Sequence, residues 1–558
     1  MGAARRQNLY QNWPFDQLAF ARIRYSLYRH VHLFGALSRV IAEERVRKIL
    51  LTIVCMALWT TVASAKDIYI VQNTAGADTG SDCASAHSAA WFNSSANWGN
   101  GSTQIGPGTV VHLCGTFTGT ANSSELVAQG NGALGNPVTV RFETGANLTS
   151  PVWSASGAIS LGAHSYITVD GGTNGIIQNT ANGTALTYQQ SSLGVFGSGN
   201  ANIVQNLTIS NMYQRIPNSS TDLNLYGSCV GLRGANSAIS NNHCDHAATG
   251  VYWNFSGTGN DHARINGNTL TFVHVAIQVG NYADNGSGDD LEIYGNDITG
   301  AGTGWDGDTG TDHIHNAAVH LFLNQGSSTG NTLTNTLVYN NYIHGDFSCY
   351  ETSDLFFEGP WTTAPTVFNN LMINGNTRGC GPTNAYITFK AVTGPKAYHN
   401  TVLVLSGAGP STGVMFESGV TNGVNENNIF AGIGGGIYVD STSTSGLAMN
   451  GNIYYFKGSQ SFYYNSLIYG SLTSLKAACG CEASSITSNP ALNSNGTLAG
   501  SPAIGLGANL TSLGITALNS DKLGVARPSS GAWDAGAYSS GSTAARPSAP
   551  TGLNIVVN

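Results

Sequence analysis

A four-residue phrase that closes on asparagine recurs along the middle of the chain and limits the folds open to it. Its copies are residues 265–268, 293–296, 338–341, 373–376, 397–400, 425–428 and 449–452. The closing Asn recurs after 28, 45, 35, 24, 28 and 24 residues, and repeats of roughly 20–50 residues are typical of solenoids and arrays. Each repeat is too short and too strand-like for a pair of helices.

A second apolar segment precedes each phrase and has the period of a β-strand. The segments are residues 251–254, 277–280, 319–322, 355–358, 387–390, 414–417 and 437–440, and their first and third positions are apolar in all seven. Alternation of period two places one apolar face on a core and the other toward solvent. Stacked coils would set equivalent strands side by side in parallel, about 4.8 Å apart, with the closing Asn side chains in a ladder at a turn.

The composition agrees with an all-β repeat. Glycine accounts for 71 of 558 residues, charged residues for 9% and hydrophobic residues for 41%. So much apolar material argues against disorder, and so few charges argue against exposed helices. No Gly-X-Y period is present, which excludes collagen.

These features resemble the right-handed parallel β-helix proteins of the pectate-lyase-like superfamily, which include polysaccharide lyases and glycoside hydrolases. The resemblance covers roughly residues 67–540. The Asn turns carry it, together with a tail (501–504, 521–524, 527–528 and 534–538) that is similar to the closing coil of many secreted β-helices. It implies an all-β right-handed parallel β-helix with an N-terminal cap and a C-terminal closing coil, and a carbohydrate-active function.

The N-terminus has the layout of a secretory signal. A basic stretch at 45–48 is followed by an apolar run at 49–62 and by Ala63-Ser64-Ala65, an A-x-A cleavage site. We expect the mature chain to begin near Lys66 and to be secreted or held at the cell surface. The run is shorter than the roughly 20 residues that span a bilayer, so a stable membrane anchor is the lesser alternative.

The expected organisation has five parts. Residues 1–65 comprise a start codon assigned too early plus the signal peptide, 66–165 the cap and first coils, and 166–485 the β-helix core. Residues 486–541 form the closing coil. Residues 542–558 are a linker stub that resembles the opening of a fibronectin type III module.

Eight cysteines remain after the signal, an even number that suggests disulfides in an exported chain. Pairing of neighbours predicts Cys83–Cys114, Cys229–Cys244 and Cys349–Cys380, with Cys479 and Cys481 left open. Zinc binding is the alternative, although no pair has C-x2-C spacing.

The charge balance excludes some partners. The first 65 residues hold 9 of the 22 basic and 3 of the 30 acidic groups, so the remainder carries 13 basic and 27 acidic groups. Nucleic acids and anionic membrane surfaces need basic patches, so we expect neither as a partner. We expect a monomer that binds a polysaccharide.

The parallel stack converts sequence positions into neighbours. Second positions of the seven segments give an outward column with Tyr252, His320 and Phe356. Fourth positions place Lys390 between Glu358 and Glu417. We interpret this cluster as a polysaccharide site in which Lys390 neutralises a uronate or removes a proton, Glu358 tunes it and His320 assists. The alternative is an ion ladder on an exposed sheet, worth about 0.2–1 kcal/mol per pair.

Further candidates lie in long loops beside the same strands. Asp312, His313 and His315 have residue types suited to acid–base catalysis or transition-metal binding. Asp306, Asp308 and Asp312 form an oxygen-rich set that suits Ca²⁺ but lacks the bidentate Glu of an EF-hand, and solvated turn carboxylates are the alternative. Tyr252, Phe356 and Trp361 are candidates for stacking on sugars, whereas Trp253 occupies an inward position and is expected in the core.

Two functional hypotheses remain open at this point. The first is an extracellular polysaccharide lyase or glycoside hydrolase, for which Asp346, Glu351 and Glu358 are further candidate carboxylates. The second is a non-catalytic adhesive or glycan-binding β-helix. An acidic groove with one Lys suits an acidic polymer poorly unless Ca²⁺ bridges the two.

Overall fold

Parallel strands stack into three faces around one apolar core, which confirms the predicted fold class of a right-handed parallel β-helix. The computed structural model describes residues 66–182, 190–212, 227–300, 316–324, 328–361, 363 and 365–542, within a unit that runs from Ala65 onward. The described strands form sheets of 14, 23 and 2 strands. We call the 14-stranded sheet face 1.

Face 1 is built from short strands, one for almost every coil. Its strands are Lys66–Val71, His87–Ser88, Thr109–Leu113, Val138–Phe142, Ile167–Asp170, Ile203–Gln205, Ala238–Ser240, Arg264–Asn266, Glu292–Tyr294, Leu337–Tyr339, Thr366–Phe368, Lys396–Tyr398, Val424–Glu426 and Ala448–Asn450.

The 23-stranded sheet comprises two faces, which are joined by the 12-residue strands His243–Asn254 and Thr269–Gly280. Besides these two, face 2 contains Thr116–Thr118, Asn147–Ser150, Ile176–Asn179, Thr208–Met212, Asp297–Thr299, Tyr342–Gly345, Leu371–Asn374, Thr401–Val404, Ile429–Ile433 and Ile453–Phe456. Face 3 also contains Leu126–Val127, Ile159–Gly162, Ser192–Gly197, Gly227–Leu232, Asn316–Phe322, Glu351–Trp361, Ala385–Val392, Thr412–Glu417, Gly435–Val439, Phe462–Tyr464 and Leu467–Tyr469. The last two pair antiparallel.

Short elements complete the described chain. They are the α-helices Ala89–Phe92 and Leu472–Cys479, the 3-10 helices Cys83–Ser85, Ser95–Asn97, Thr511–Leu513 and Thr516–Asn519, and the paired strands Ser287–Asp289 and Thr332–Thr334. In these described ranges no helix has both the length and the apolar character that crossing a membrane requires.

The register predicted for face 3 is confirmed. His320 pairs with Phe356, Phe356 with Thr388, and Thr388 with Met415. The first and third positions of all seven segments are buried, Trp253 among them. In the interior, the ring centroids of Phe357 and Phe389 lie 5.3 Å apart, so the hydrophobic alternation and the stacking of like side chains fix the same register.

An asparagine ladder runs along the turn between faces 1 and 2. Each side-chain Nδ2 donates to the Oδ1 of the next Asn at 2.9–3.4 Å, through Asn242, Asn268, Asn296, Asn341, Asn370, Asn400, Asn428 and Asn452. In the coil of the fourth phrase the ladder residue is Asn370, which precedes the phrase. The prediction that Asn376 belongs to the ladder was wrong. Asn376 instead follows the face 2 strand and donates to the Phe347 carbonyl at 2.6 Å. Buried Glu482 ends the ladder by accepting from Asn452.

The tail that was expected to close the stack lies along its side. Leu510, Leu518 and Trp533 pack against Tyr339, Phe368 and Tyr398 on the outside of face 1. The buried Arg527 guanidinium donates to Asn369 Oδ1 at 2.9 Å. The described residues 487–542 contain no strand, so this segment is a strap that covers apolar and aromatic side chains.

Four disulfides are present in the described chain. They join Cys83 to Cys114, Cys229 to Cys244, Cys349 to Cys380 and Cys479 to Cys481. The first three are the pairs that the sequence predicts.

Candidate active site

Glu358, Lys390 and Glu417 form a row on three consecutive strands of face 3. Lys390 pairs with Glu358 on one side and with Glu417 on the other. The Lys390 Nζ lies 3.9 Å from Glu358 Oε2, and the Lys390 side chain is 41% exposed whereas that of Glu358 is 9% exposed. We call Glu358, Lys390 and Glu417 the charged row.

The two carboxylates of the charged row differ in their surroundings. His320 Nε2 lies 3.1 Å from Glu358 Oε1, so Glu358 contacts two nitrogen groups. Glu417 is half-buried, and this burial raises its pKa; the charges of Asp440 and Glu358 act in the same direction, while Lys390 opposes them. A raised pKa suits the Glu417 carboxyl to carrying a proton.

The outward column beside the row is less exposed than the sequence predicts. His320, Phe356 and Thr388 are buried, and the rings of His320 and Phe356 stack on each other. The His320 ring lies 5.0 Å from that of Phe356 and 5.3 Å from that of Phe322. The prediction that Phe356 is an exposed stacking residue was therefore wrong: its ring packs against His320 and holds the imidazole in place.

Trp361 is also buried, which contradicts its assignment to the sugar-binding surface. The pairing register shifts between Glu358 and Trp361, and this irregularity returns the indole to the core cluster. Its Nε1 donates to the Glu358 carbonyl at 3.0 Å. Trp361 therefore anchors the backbone that carries Glu358.

Tyr252 remains partly exposed on the outside of face 3, and its hydroxyl accepts a hydrogen bond from Asn254 at 2.8 Å. Asp440, which follows the next strand after Glu417, accepts from the backbone of Ser418 and Thr442 at 2.7 and 3.0 Å. These bonds give Asp440 a role in the turn.

Two loops at the corner of faces 2 and 3 are fastened together. The Cys349–Cys380 disulfide joins them with a Cα–Cα distance of 5.1 Å. Arg378 donates to the Phe347 carbonyl at 2.6 Å and lies 3.8 Å from Asp346 Oδ1. The predicted Cys349–Cys380 pair thus holds the two loops together beside the strands of face 3.

A buried acid pair was not anticipated from the sequence. Glu351 and Asp354 hydrogen-bond to each other beside a cavity of about 10 Å³ that Cys380 also lines, close to the volume of one water. Burial raises the pKa of Asp354 to about 7, and burial together with the Asp354 charge raises that of Glu351 well above its usual value. The pair holds a proton near neutral pH, but the cavity is too small for a sugar.

The loop candidates Asp306, Asp308, Asp312, His313 and His315 lie outside the described residues. Within the described ranges, no three His, Cys, Asp or Glu side chains come close enough together to hold a metal ion.

Known proteins resemble the chain in fold. No protein-family model matches the sequence, and no curated protein matches it. Solved structures similar to it include pectate lyase Pel9A (12% identity, 86% of this chain and 97% of that chain, TM-score 0.42) and a double mutant of the tailspike protein of E. coli bacteriophage HK620 (12% identity, 67% and 61%, TM-score 0.43). A third is the GH136 lacto-N-biosidase from Eubacterium ramulus (14% identity, 73% and 65%, TM-score 0.38). The chain spans about three fifths of the tailspike chain. The parallel pairing of its strands identifies this chain as a right-handed parallel β-helix.

Proposed function

We propose that this protein is a glycoside hydrolase that binds a polysaccharide along the outside of face 3 and cleaves it at the charged row. The observation that carries the proposal is the row itself: two carboxyl groups on alternate strands, with Lys390 between them. The strands of face 3 pair in register from coil to coil, so equivalent positions recur at a regular spacing that suits an extended polymer.

The two carboxyl groups have complementary roles. Glu417, whose pKa is raised, is the general acid that protonates the leaving oxygen. Glu358, which contacts His320 and Lys390, is the carboxylate that takes a proton from the attacking water. Their Cα atoms lie two strand spacings apart, about 9.6 Å, and side chains that lean toward Lys390 from both sides would bring the carboxyl groups closer than this, into the roughly 6.5–9.5 Å carboxyl separation of inverting hydrolases.

The charge of the site favours a neutral glycan. Glu358 and Glu417 outnumber Lys390 in the row, and Asp440 adds a third carboxylate nearby. A polyuronate would meet net repulsion, and elimination requires a cation that holds the uronate carboxylate. Hydrolysis of an uncharged chain requires no such cation.

A polysaccharide panel tests this proposal. Purified mature protein is incubated with neutral and acidic polymers, with and without EDTA, and both reducing ends and absorbance at 232 nm are recorded. We expect reducing ends from a neutral polymer, no unsaturated product, and no effect of EDTA. Absorbance at 232 nm from an acidic polymer would show a lyase instead, and binding without any product would show an adhesive protein.

We also propose that the protein is exported. One structural observation supports this: the described chain contains four disulfides, which persist in oxidising compartments. The basic stretch, apolar run and A-x-A site of the sequence agree with it.

A further inference from the structure

One column of residues at the corner of faces 2 and 3 has left-handed backbone. The column is defined by register, since the neighbours of each member pair with those of the next. It contains Asn211, His246, Phe272 and Gly300, with φ of 63°, 56°, 50° and 68°. Asn and Gly are the residues that tolerate this conformation best, so Asn211 and Gly300 are expected. His is also enriched at positive φ, whereas the bulky Phe272 is an outlier.

The rings of His246 and Phe272 form an aromatic platform at the surface. The Phe272 ring stacks on the His246 ring with centroids 5.0 Å apart and an angle of 24° between the planes. Phe272 is 43% exposed, so its ring does little to fill the core. Gly300 keeps the space beside it open, because a Cβ at this position would lie 3.1 Å from the Phe272 ring.

Polar groups border the platform. Asp245 Oδ2 lies 2.6 Å from His246 Nδ1, and Asp245 Oδ1 accepts from the Thr271 hydroxyl at 2.6 Å. The side chains of Asp245 and His246 are 31% and 29% exposed. A carboxylate and a hydroxyl therefore lie beside an exposed aromatic face, in an arrangement that the backbone maintains at a cost in stability.

We propose that His246 and Phe272 form a glycan-binding platform that is separate from the charged row. A sugar ring presents C–H groups on its face and hydroxyls at its edge, which match an aromatic ring bordered by Asp245 and Thr271. Specific protein interfaces bury about 1,200 Å² or more, and one exposed ring does not supply such a surface. Strained backbone that persists at an exposed aromatic residue is typical of a functional site.

The platform and the charged row are well separated. The strand that carries His246 runs eight residues further to Asn254, which has the register of the row. That length corresponds to at most about 26 Å of extended chain at 3.3 Å per residue, and the chain passes from the corner onto face 3 within it. The platform can therefore hold a polymer without contacting the row, and this inference does not depend on catalysis.

Native electrophoresis in gels cast with xyloglucan, mixed-linkage β-glucan or galactomannan tests the platform. Phe272→Asn removes the ring and introduces a residue that suits positive φ. We expect affinity for the retarding polymer to fall roughly two- to tenfold, the scale of one aromatic stacking contact. The melting temperature should stay at or above that of the wild type because strain is relieved. The same loss should appear in a Glu417→Gln background, which separates the platform from the row.

Tyr166→Asn is the matched control, because Tyr166 is another aromatic residue at positive φ (59°) elsewhere in the stack. It should leave retardation unchanged. Wild-type protein that is retarded in none of the gels, or Phe272→Asn protein that is retarded as strongly as the wild type, would overturn the proposal. A lower melting temperature with unchanged retardation would show that the Phe272 ring is structural.

Discussion

Residues in equivalent outward positions of face 3 have different surroundings, and their roles differ accordingly. Phe356 and His320 are buried and stack on each other, whereas Lys390 keeps 41% of its side chain exposed. Substitutions at these positions should therefore affect stability and turnover in different proportions.

His320→Ala is expected to lower stability as well as turnover, whereas Lys390→Ala should mainly lower turnover. Loss of His320 leaves the buried Glu358 carboxylate short of a contact, which costs about 1–3 kcal/mol. The partly exposed Lys390 pair contributes less than about 1 kcal/mol. Urea unfolding of both variants measures the difference. Lys396→Ala, an exposed Lys on face 1, is the control, and equal destabilisation by all three changes would contradict the burial argument.

The Glu351–Asp354 pair predicts a pH dependence of stability. Because burial raises both pKa values, the folded chain retains protons that the unfolded chain releases above about pH 4. The contribution of the pair is full below that pH and is lost progressively as the pH rises, the part from Asp354 by about pH 7. Melting temperatures between pH 4 and 8 should fall less steeply in the Glu351→Gln, Asp354→Asn double variant. Identical slopes in the variant and the wild type would contradict a shared buried proton.

At the scale of elements, the asparagine ladder connects neighbouring coils. Asn370→Ala removes hydrogen bonds to both Asn341 and Asn400 inside the core. Because buried partners lose their bonds, we expect the free energy of unfolding to fall by about 1–3 kcal/mol or more, as measured by urea denaturation. A change under about 0.5 kcal/mol would show that the ladder contributes little.

The strand pattern could be predicted from the sequence because side-chain alternation directly reports which face is buried. Which of Asn370 and Asn376 joins the ladder could not be predicted as reliably, because the two lie only six residues apart and each lies at a turn. The burial of Phe356 and Trp361 was missed because it depends on ring stacking and on a register shift, which leave no local signal. The His246–Phe272 platform was missed for a related reason: a Phe in the sequence gives no signal of left-handed backbone.

At the scale of the whole molecule, the expected mature chain contains every described strand of the β-helix. N-terminal sequencing of protein exported from a bacterial host should give Lys66 as the first residue, because the A-x-A cleavage site ends at Ala65. A Ser64→Asp, Ala65→Asp variant should remain uncleaved. Exported wild-type protein that retains residues 49–62 would contradict the signal peptide.

The hydrolase proposal predicts which carboxyl groups of the molecule matter. Glu426 on face 1 provides the matched comparison, because it too is half-buried and has a pKa raised by burial, yet it lies on a different face from the charged row.

The most direct test is the rate of reducing-end release from the neutral polysaccharide that the panel identifies, measured for wild-type protein and for three Glu→Gln variants. Glu358→Gln and Glu417→Gln should each lower the rate by about 10²-fold or more, the scale of a lost acid or base, while Glu426→Gln keeps the wild-type rate. Wild-type rates in both row variants, or equal loss in all three, would contradict catalysis at the charged row.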